Sequence, residues 1–248
     1  MEDILLYYAI KYQGQFQRIY NAIIQKESID LNELKCMKEK MTCRYTTIIS
    51  NDYPECFKYI ATPPFVLFYY GNLSLCKREC ISMIGGRICS EYGKRQALSI
   101  SCQLAKQNKV IVSGMAKGID AYSHLGAIQA NGKTIAVLGC GIDYCYPKEN
   151  KSLYELLKRE HLVLSEYPND TIPKKDYFPA RNRIVSAIGK KLVVVEAKQR
   201  SGTMITVNFA LEQAKEIYCV PNHMGEYDGC NRLISQGANI LLDVEELF

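Results

Sequence analysis

The sequence has no apolar run of about 18 residues, the length that a helix needs to cross a membrane. Its first residues, Met-Glu-Asp-Ile, also lack the basic start of a secretory signal. Neither a membrane-spanning helix nor a cleaved export signal is therefore expected. We predict a cytoplasmic protein without a membrane partner.

Metal-binding patterns are also missing, although cysteine is abundant. The chain has eleven cysteines, but no pair is spaced as Cys-x-x-Cys, and only three histidines could join them. Cys76, Cys80 and Cys89 form the only local cluster, whereas a zinc site needs four well-spaced ligands. We predict no metal site, and we interpret the cysteines as reduced residues that fill the core of a cytosolic protein.

Three common enzyme signatures are absent as well. No Gly-x-Gly-x-x-Gly follows the first strand, which argues against a dinucleotide cofactor, and no Gly-x-Ser-x-Gly is present. Gly132-Lys133-Thr134 resembles part of a P-loop, but it leads into a strand instead of a helix. Ser113, Asp120 and His124 could be a hydrolytic set. We favour a helix cap for Asp120 and a packed side chain for His124, and we predict no cofactor.

The composition is that of an ordinary globular protein, with 48% hydrophobic and 23% charged residues. A length of 248 residues allows one large domain and a small appendage. The net charge of +5 permits a polyanionic partner such as nucleic acid. The arrangement of the charges is more informative than their sum.

Short apolar strands alternate with helices through most of the chain. The predicted strands are Phe65–Tyr70, Ile81–Ile84, Val110–Val112, Thr134–Leu138, Leu162–Ser165, Leu192–Val195 and Ile217–Val220. The predicted helices are Ser90–Gln107, one from Asp120, Asn150–Arg159, Arg181–Ile188 and Met204–Ala214. This alternation is typical of an α/β fold with a doubly wound, mainly parallel sheet.

Residues 1–45 are predicted to form a small helical N-terminal segment. Apolar residues recur there every three or four positions, with a break near residues 28–32. We expect this segment to pack on the main domain, residues 46–248, or on a partner. The turn residues from Asn51 to Pro64 predict a linker.

The stretch Lys109–Asp120 predicts an anion site. The β-branched run Val110–Val112 predicts a buried strand, and the glycine-bracketed turn after it leaves no Cβ atoms between the backbone and a ligand. Asp120 can cap the following helix, so unpaired N–H groups face outward at a helix N-terminus, which favours phosphate. The residues that we expect around this phosphate are Ser113, Gly114 and Lys117.

Two further turns follow predicted strands. The carboxyl ends of parallel strands meet at one edge of a sheet, where ligands bind. Arg87 follows Gly85 and Gly86 there, and a guanidinium can make a two-point contact with phosphate. Ser201-Gly202-Thr203 follows a strand that ends near Glu196. Glu196 could be a catalytic carboxylate or could order the arginines, and the sequence leaves both open.

The densest charged stretch runs from Pro173 to Arg183. Two lysines and two arginines surround adjacent aromatics, a mixture that suits single-stranded nucleic acid because cations follow the backbone while rings stack on bases. Phe178 precedes Pro179, so we expect it to be extended and outside a helix. The alternative is that Phe178 is core and the charges are solvated. The expected contact residues are Lys175, Phe178, Arg181, Asn182 and Arg183.

Together, these motifs resemble the DprA/Smf family, the DNA-processing proteins of natural transformation. The matching motifs, in order, are Ile84–Arg87, Ser113–Asp120 with His124, Ala136–Gly141 with Tyr146-Pro147, Ser165–Pro168, Phe178–Ile184, Glu196-Ala197, Ser201–Thr203 and Val220-Pro221. The match runs from about Asn51 to Asp243. Each motif alone is weak, whereas the ordered set is highly specific.

The resemblance implies an extended Rossmann-like domain that binds single-stranded DNA, forms a homodimer and loads the RecA recombinase onto that DNA. It implies no nucleotide cofactor and no catalytic turnover. By position, the family's DNA-contacting arginine matches Arg87, and its lysine and stacking aromatic match Lys175 and Phe178. The glycine turns that would line the same groove are Gly86, Gly114 and Gly202.

The sequence also departs from the family pattern. Gly86 replaces the usual small polar residue, and Lys117 replaces the usual arginine, which keeps the charge but loses a two-point contact. The N-terminal segment is shorter than the sterile-alpha-motif domain of many members, and the sequence ends at Phe248. We therefore expect neither that domain nor the winged-helix domain of some members.

Two other functions stay open. Related phosphoribohydrolases combine a glycine-rich phosphate loop with a glutamate, as Glu196 and Ser201–Thr203 could. Those enzymes have a Pro-Gly-Gly run where this chain has Lys198-Gln199-Arg200. A nucleotide-sensing module without turnover is the remaining alternative.

Overall fold

A computed structural model describes residues 1–169, 171–225 and 227–248, and these residues form an α/β fold around one nine-stranded sheet. The strands are β1 Arg44–Thr47, β2 Val66–Gly71, β3 Cys80–Gly85, β4 Val110–Ser113, β5 Lys133–Gly141, β6 Leu162–Tyr167, β7 Lys191–Glu196, β8 Glu216–Cys219 and β9 Asn239–Ile240. The helices are α1 Glu2–Lys11, α2 Phe16–Ile24, α3 Leu31–Glu39, α4 Glu91–Lys106, α5 Ile119–Gln129, α6 Lys151–Glu160, α7 Tyr177–Ile188, α8 Gly202–Glu212 and α9 Gly229–Ser235. None of the helices in these residues is long and apolar enough to cross a membrane.

The strand order is β1-β2-β6-β5-β4-β3-β7-β8-β9. Strands β3 to β9 are parallel, whereas β2 pairs antiparallel with β6 and β1 pairs antiparallel with β2. The chain winds from β3 through β4 and β5 to β6, and then crosses back to place β7 on the other side of β3. The prediction of a mainly parallel, doubly wound, Rossmann-like sheet is confirmed. Its switch point, between β3 and β7, is where such sheets bind ligands.

Helices cover both faces of the sheet. Along β4, Val110 and Val112 pack in the layer that contains Ile184 of α7, while Ile111 between them packs in the layer that contains Leu104 of α4. All five of these residues are buried. This alternation explains why β4 is a continuous apolar run.

The N-terminal segment packs on the main domain, as one of the two predicted alternatives had it. Leu6 and Tyr8 of α1 share a core with Phe68 of β2 and Leu138 of β5. Besides the predicted break near residues 28–32, the structure has a second break after α1, because Gly14 adopts φ +68° and turns the chain, so that the segment has three helices. Strand β1 crosses the predicted domain boundary between residues 45 and 46.

The predicted linker from Asn51 to Pro64 is wrong, because this segment belongs to the core. It contains a 3₁₀ turn, Glu55–Phe57, and the side chains of Tyr53 and Phe57 are buried against the sheet. The Tyr53 hydroxyl donates to the Pro64 carbonyl at 2.6 Å. Two aromatics four residues apart outweigh the turn-forming residues that suggested a linker.

The eleven cysteines are all free thiols. Burial raises the pKa of Cys80 and of Cys140 to about 12. Such thiols are protonated at neutral pH and chemically inert, so these two act as apolar packing residues.

Candidate nucleic-acid interface

A groove of about 670 Å³ opens at the carboxyl ends of β3, β4 and β7, at the switch point of the sheet. We call it the switch-point groove. One wall is the turn after β3, the second is α7 with the residues before it, and the third is the start of α8. The predicted contact residues that line it are Gly86, Arg87, Gly114, Lys175, Phe178, Arg181, Asn182, Ser201, Gly202 and Thr203.

A cation and an aromatic ring meet at the rim of the switch-point groove. The Arg87 guanidinium carbon lies 5.1 Å from the centroid of the Phe178 ring, and Lys175 is exposed on the same groove. Arg87 precedes Lys175 by 88 positions and Phe178 by 91 positions in the sequence, yet all three residues line the same groove. A ring next to two cations is an arrangement on which a base can stack while its phosphates are neutralised.

The start of α7 positions the Phe178 ring. The expectation that Phe178 lies outside a helix is wrong, because α7 begins at Tyr177. Pro179 falls in the first turn, where a helix has no partner for the missing N–H. Gly139 at the end of β5 makes the ring's position possible, since a Cβ there would lie 2.7 Å from a ring carbon of Phe178.

Arg181 lies beneath the groove instead of on its rim. Its side chain is buried and donates to the carbonyls of Gly114 and Val137. Burial raises the pKa of Asp120, which also lines the groove, and the neighbouring Arg181 charge opposes that shift. Arg181 therefore ties α7 to the ends of β4 and β5. This corrects the expectation of a freely phosphate-binding guanidinium.

Ser113 and Arg183 do not face the groove, which corrects the expectation for their side chains. The buried Ser113 hydroxyl donates to the Met83 carbonyl at 2.7 Å. One Arg183 nitrogen, Nη2, donates to both carboxylate oxygens of Glu166 at 2.7 and 2.8 Å, and Nε donates to the Thr62 carbonyl at 2.9 Å. Burial opposes the charge of Arg183, but the Glu166 carboxylate raises its pKa above the ordinary value.

The groove extends at one end to Lys117 and Tyr146. Tyr146 was not among the site residues predicted from the sequence. Lys117 is half exposed and pairs with Glu149 at 2.5 Å. It lines a side pocket of about 70 Å³ together with Arg87, Phe178 and Tyr146. The Tyr146 ring centroid lies 5.5 Å from that of Phe178. An aromatic a few residues after the glycine-rich end of β5 was the available signal for Tyr146.

Comparisons with known proteins match this architecture. A family model described as DNA recombination-mediator protein A matches residues 44–248. The DNA processing protein DprA of Streptococcus pneumoniae is 38% identical over 228 residues, which is 91% of this chain and 80% of that protein. The chain belongs to the DprA/Smf family.

Two solved structures of DprA/Smf proteins have the same fold. The X-ray structure of DprA from Streptococcus pneumoniae aligns with a TM-score of 0.83 and 34% identity, over 99% of this chain and 92% of that one. A structure of DprA from Helicobacter pylori, described for its single-stranded DNA binding mode, aligns with a TM-score of 0.74 and 31% identity. It covers 82% of this chain and 94% of that one. The family resemblance found in the sequence is confirmed.

Glu196, the carboxylate left open by the sequence, serves the start of α4 in this DprA/Smf chain. It is fully buried and accepts hydrogen bonds from the backbone N–H of Ser90 at 2.8 Å, from the Ser90 hydroxyl and from Asn222 Nδ2 at 3.2 Å. A carboxylate at a helix N-terminus is a stabilising cap. Its contacts fit a structural role, and its side chain lies outside the residues that line the groove.

The residues of the possible hydrolytic set have other partners. Ser113 bonds to Met83, Asp120 accepts from the Ala116 N–H at 3.2 Å, and His124 Nδ1 lies 2.6 Å from the Thr134 hydroxyl. Within the described ranges, no three His, Cys, Asp or Glu side chains come together as a metal site requires. His124 is packed in the core, as the favoured interpretation had it. The predicted helix cap at Asp120 is wrong, because the N-cap of α5 is Gly118 without a side-chain cap, and Asp120 lies inside the first turn of the helix.

Burial of His124 predicts a loss of stability in acid. Burial lowers its pKa from 6.5 to about 3. The unfolded chain therefore binds a proton before the folded protein does, and the stabilisation is complete above about pH 6.5 and is lost as the pH falls towards 3. We expect His124 to contribute a slope of about 1.4 kcal/mol per pH unit to the free energy of unfolding near pH 5. Urea titrations between pH 4 and 7 measure it.

The control for this slope is the exposed His223. His124→Gln should reduce the pH dependence of the free energy of unfolding by that amount, while His223→Gln should leave it unchanged. Equal pH dependence in the wild type and in His124→Gln would contradict the prediction.

Proposed function

We propose that the protein binds single-stranded DNA in the switch-point groove, without catalytic turnover, and delivers the strand to a RecA-type recombinase during DNA uptake in natural transformation. This places it in the cytoplasm, where RecA acts. The observation that carries the proposal is the Arg87–Phe178 pair, 5.1 Å apart, with Lys175 on the same groove. It offers one ring for a base and two cations for the neighbouring phosphates.

The groove suits a single strand better than a duplex. A base can lie on Phe178 only when it is free of its complement, and the groove is bounded on three sides by α7, α8 and the turn after β3. The similar structure of Helicobacter pylori DprA, described for its single-stranded DNA binding mode, supports this proposal. The family description as a recombination mediator supports delivery to a recombinase.

The direct test is a fluorescence polarisation titration. Labelled oligo-dT should bind more tightly than a duplex of equal length at the same salt concentration. Duplex that binds as tightly as oligo-dT would contradict the proposal.

The recombinase step is tested by RecA assembly on DNA that is covered by a single-strand binding protein. There the protein should shorten the lag before RecA filaments form. We also propose a homodimer, which sedimentation equilibrium tests.

Binding should weaken steeply with salt. Each neutralised phosphate of a single strand contributes about 0.7 to the slope of log affinity against log salt concentration. With Arg87, Lys117 and Lys175 each on one phosphate, we expect a slope of about 2. Polarisation titrations from 50 to 300 mM NaCl, roughly, give the slope.

Lys175→Ala should reduce this slope by about 0.7 and weaken binding to all sequences similarly. The matched control is Lys190→Ala. Lys190 is exposed just before β7, at the amino ends of the parallel strands, whereas the groove lies at their carboxyl ends. Affinity that does not change with salt, or an equal effect of the two variants, would contradict the strand path.

A further inference from the structure

The N-terminus of α8 is an open donor site in the switch-point groove. This helix has 11 residues, no side-chain cap and no acidic residue in its first turn. The hydroxyl of the N-cap residue Ser201 is used elsewhere, since it donates to the Lys198 carbonyl at 2.9 Å. Among the described residues, none accepts a hydrogen bond from the amides of Gly202 and Thr203. Free amides at the positive end of a helix dipole favour an anion.

Two threonines provide an independent indication of a ligand. The side chains of Thr203 and Thr206 line the groove, and the residues are only 7% and 3% exposed. In the described part of the chain, neither hydroxyl has a hydrogen-bond partner, and neither oxygen is fully enclosed by protein. Both hydroxyls therefore open onto the groove, where a ligand can accept a hydrogen bond from each of them.

The space beside Gly202 is open to the groove. A Cβ on Gly202 would meet no described atom within 4 Å. The start of α4 is different, because the Glu196 carboxylate already occupies it and a Cβ on Gly93 would lie 2.7 Å from that carboxylate. In α8, by contrast, the first turn has neither a side-chain cap nor an acidic residue.

The distance from the Phe178 ring suits one nucleotide. Phe178 and Asn182 lie one helical turn apart on α7, about 6 Å along its axis. Asn182 Nδ2 in turn lies 3.5 Å from the Gly202 carbonyl, so the start of α8 is close to the next turn of α7. A nucleotide holds its base and its phosphate on either side of one sugar, so a single nucleotide can reach both places.

We propose that the N-terminus of α8 binds the phosphate of the nucleotide whose base stacks on Phe178. The amides of Gly202 and Thr203 and the hydroxyls of Thr203 and Thr206 donate to the phosphate oxygens. The inference deepens the proposed function and rests on it for the DNA strand. Because the site is complete for one nucleotide, a free nucleoside 5′-monophosphate also binds there, and its phosphate contributes most of the affinity.

The test uses three small probes in place of DNA. Thermal shift titrations with dTMP, thymidine and inorganic phosphate give an affinity for each. A ligand that binds only the folded state stabilises it by RT ln(1 + L/Kd), where L is the free ligand concentration, and raises the melting temperature accordingly. We expect dTMP to bind at least tenfold more tightly than thymidine, since each hydrogen bond to a charged group changes affinity by about tenfold or more. Inorganic phosphate shows whether the anion alone occupies the site.

Two sets of variants locate the phosphate. Thr203→Val with Thr206→Val removes both hydroxyls but keeps the backbone amides, and it should reduce the difference between dTMP and thymidine by about tenfold or more. Thr203→Ser with Thr206→Ser should keep the difference. Each variant is compared with its own melting temperature without ligand, so a change in stability does not affect the result. Asn208→Ala, an exposed position on the same helix, is the control.

Equal affinities for dTMP and thymidine in the wild type would overturn the inference, and so would a difference that is undiminished in the double valine variant. These results are independent of the oligo-dT titration. If oligo-dT binds while dTMP does not exceed thymidine, the proposed function stands and the α8 subsite fails. If dTMP binds through α8 while oligo-dT does not bind, the subsite stands and the strand path fails.

Discussion

Arg183→Met should lower the free energy of unfolding by about 3–5 kcal/mol, because it leaves the buried Glu166 carboxylate without its charged partner. Both side chains are less than 10% exposed, and Glu166 accepts both of its short hydrogen bonds from Arg183 Nη2. The Arg183 guanidinium also holds the segment before β2 through the Thr62 carbonyl. Urea unfolding followed by circular dichroism measures the change.

Two further variants show whether this loss of stability comes from the buried ion pair. Arg159→Met breaks an exposed pair with Glu160 and should cost about 0–1 kcal/mol. The double variant Arg183→Met with Glu166→Leu should recover much of the stability, since a buried ion pair that is replaced by apolar residues is often neutral. If the single variant Arg183→Met unfolded like the wild type, the contacts of Arg183 with Glu166 and Thr62 would contribute little to stability.

Phe178→Ala should weaken oligo-dT binding by about 1–3 kcal/mol, or roughly 5- to 150-fold, because it removes the surface on which a base stacks. It also removes the ring that the Arg87 guanidinium contacts. The loss should appear at all salt concentrations, because stacking is not an ionic contact. Polarisation titrations of oligo-dT at two salt concentrations measure both features.

Phe178→Tyr keeps a ring at this position and should retain most of the affinity. Tyr20→Ala, on exposed α2, removes an aromatic outside the groove and is the matched control. If Phe178→Ala bound oligo-dT as the wild type does, no base would stack on this ring, and the groove would hold the strand through its backbone alone.

Local patterns in the sequence were sufficient to predict the parallel strands β3 to β8. The meeting of Arg87, Lys175 and Phe178 was instead implied by the family resemblance, since Lys175 and Phe178 lie around the start of α7 and do not directly follow a strand. Apolar runs such as Val110–Val112 are strands that are covered on both faces. Residues that follow parallel strands are brought to one edge, whatever their separation along the chain.

The roles of Arg181 and Arg183 could not be predicted in the same way. Their charges suggested a solvated, DNA-facing run, and nothing in the local sequence indicates that carbonyls of other strands and Glu166 surround them. Of the Arg-Asn-Arg run, it is the middle residue, Asn182, that reaches across the groove to α8. Side-chain direction on a helix with neighbours on several sides is decided by tertiary contacts.

The four-residue strand β1 was missed for a related reason. Its residues, Arg44–Thr47, are mainly polar and too few to show an alternating pattern. The strand exists because β2 offers a free edge with which it pairs antiparallel. A segment this short does not show in its sequence that it pairs with another strand.

The walls of the groove are contributed by residues 84–88, 114–120, 146, 175–185, 198–206 and 227, which are spread over more than half of the chain. The groove therefore cannot form in a fragment that lacks one of these segments. It exists only when the central β-strands are paired in the sheet. Ligand binding is therefore linked to the integrity of the sheet, and bound DNA should slow hydrogen exchange in those central β-strands whose opening disrupts the groove.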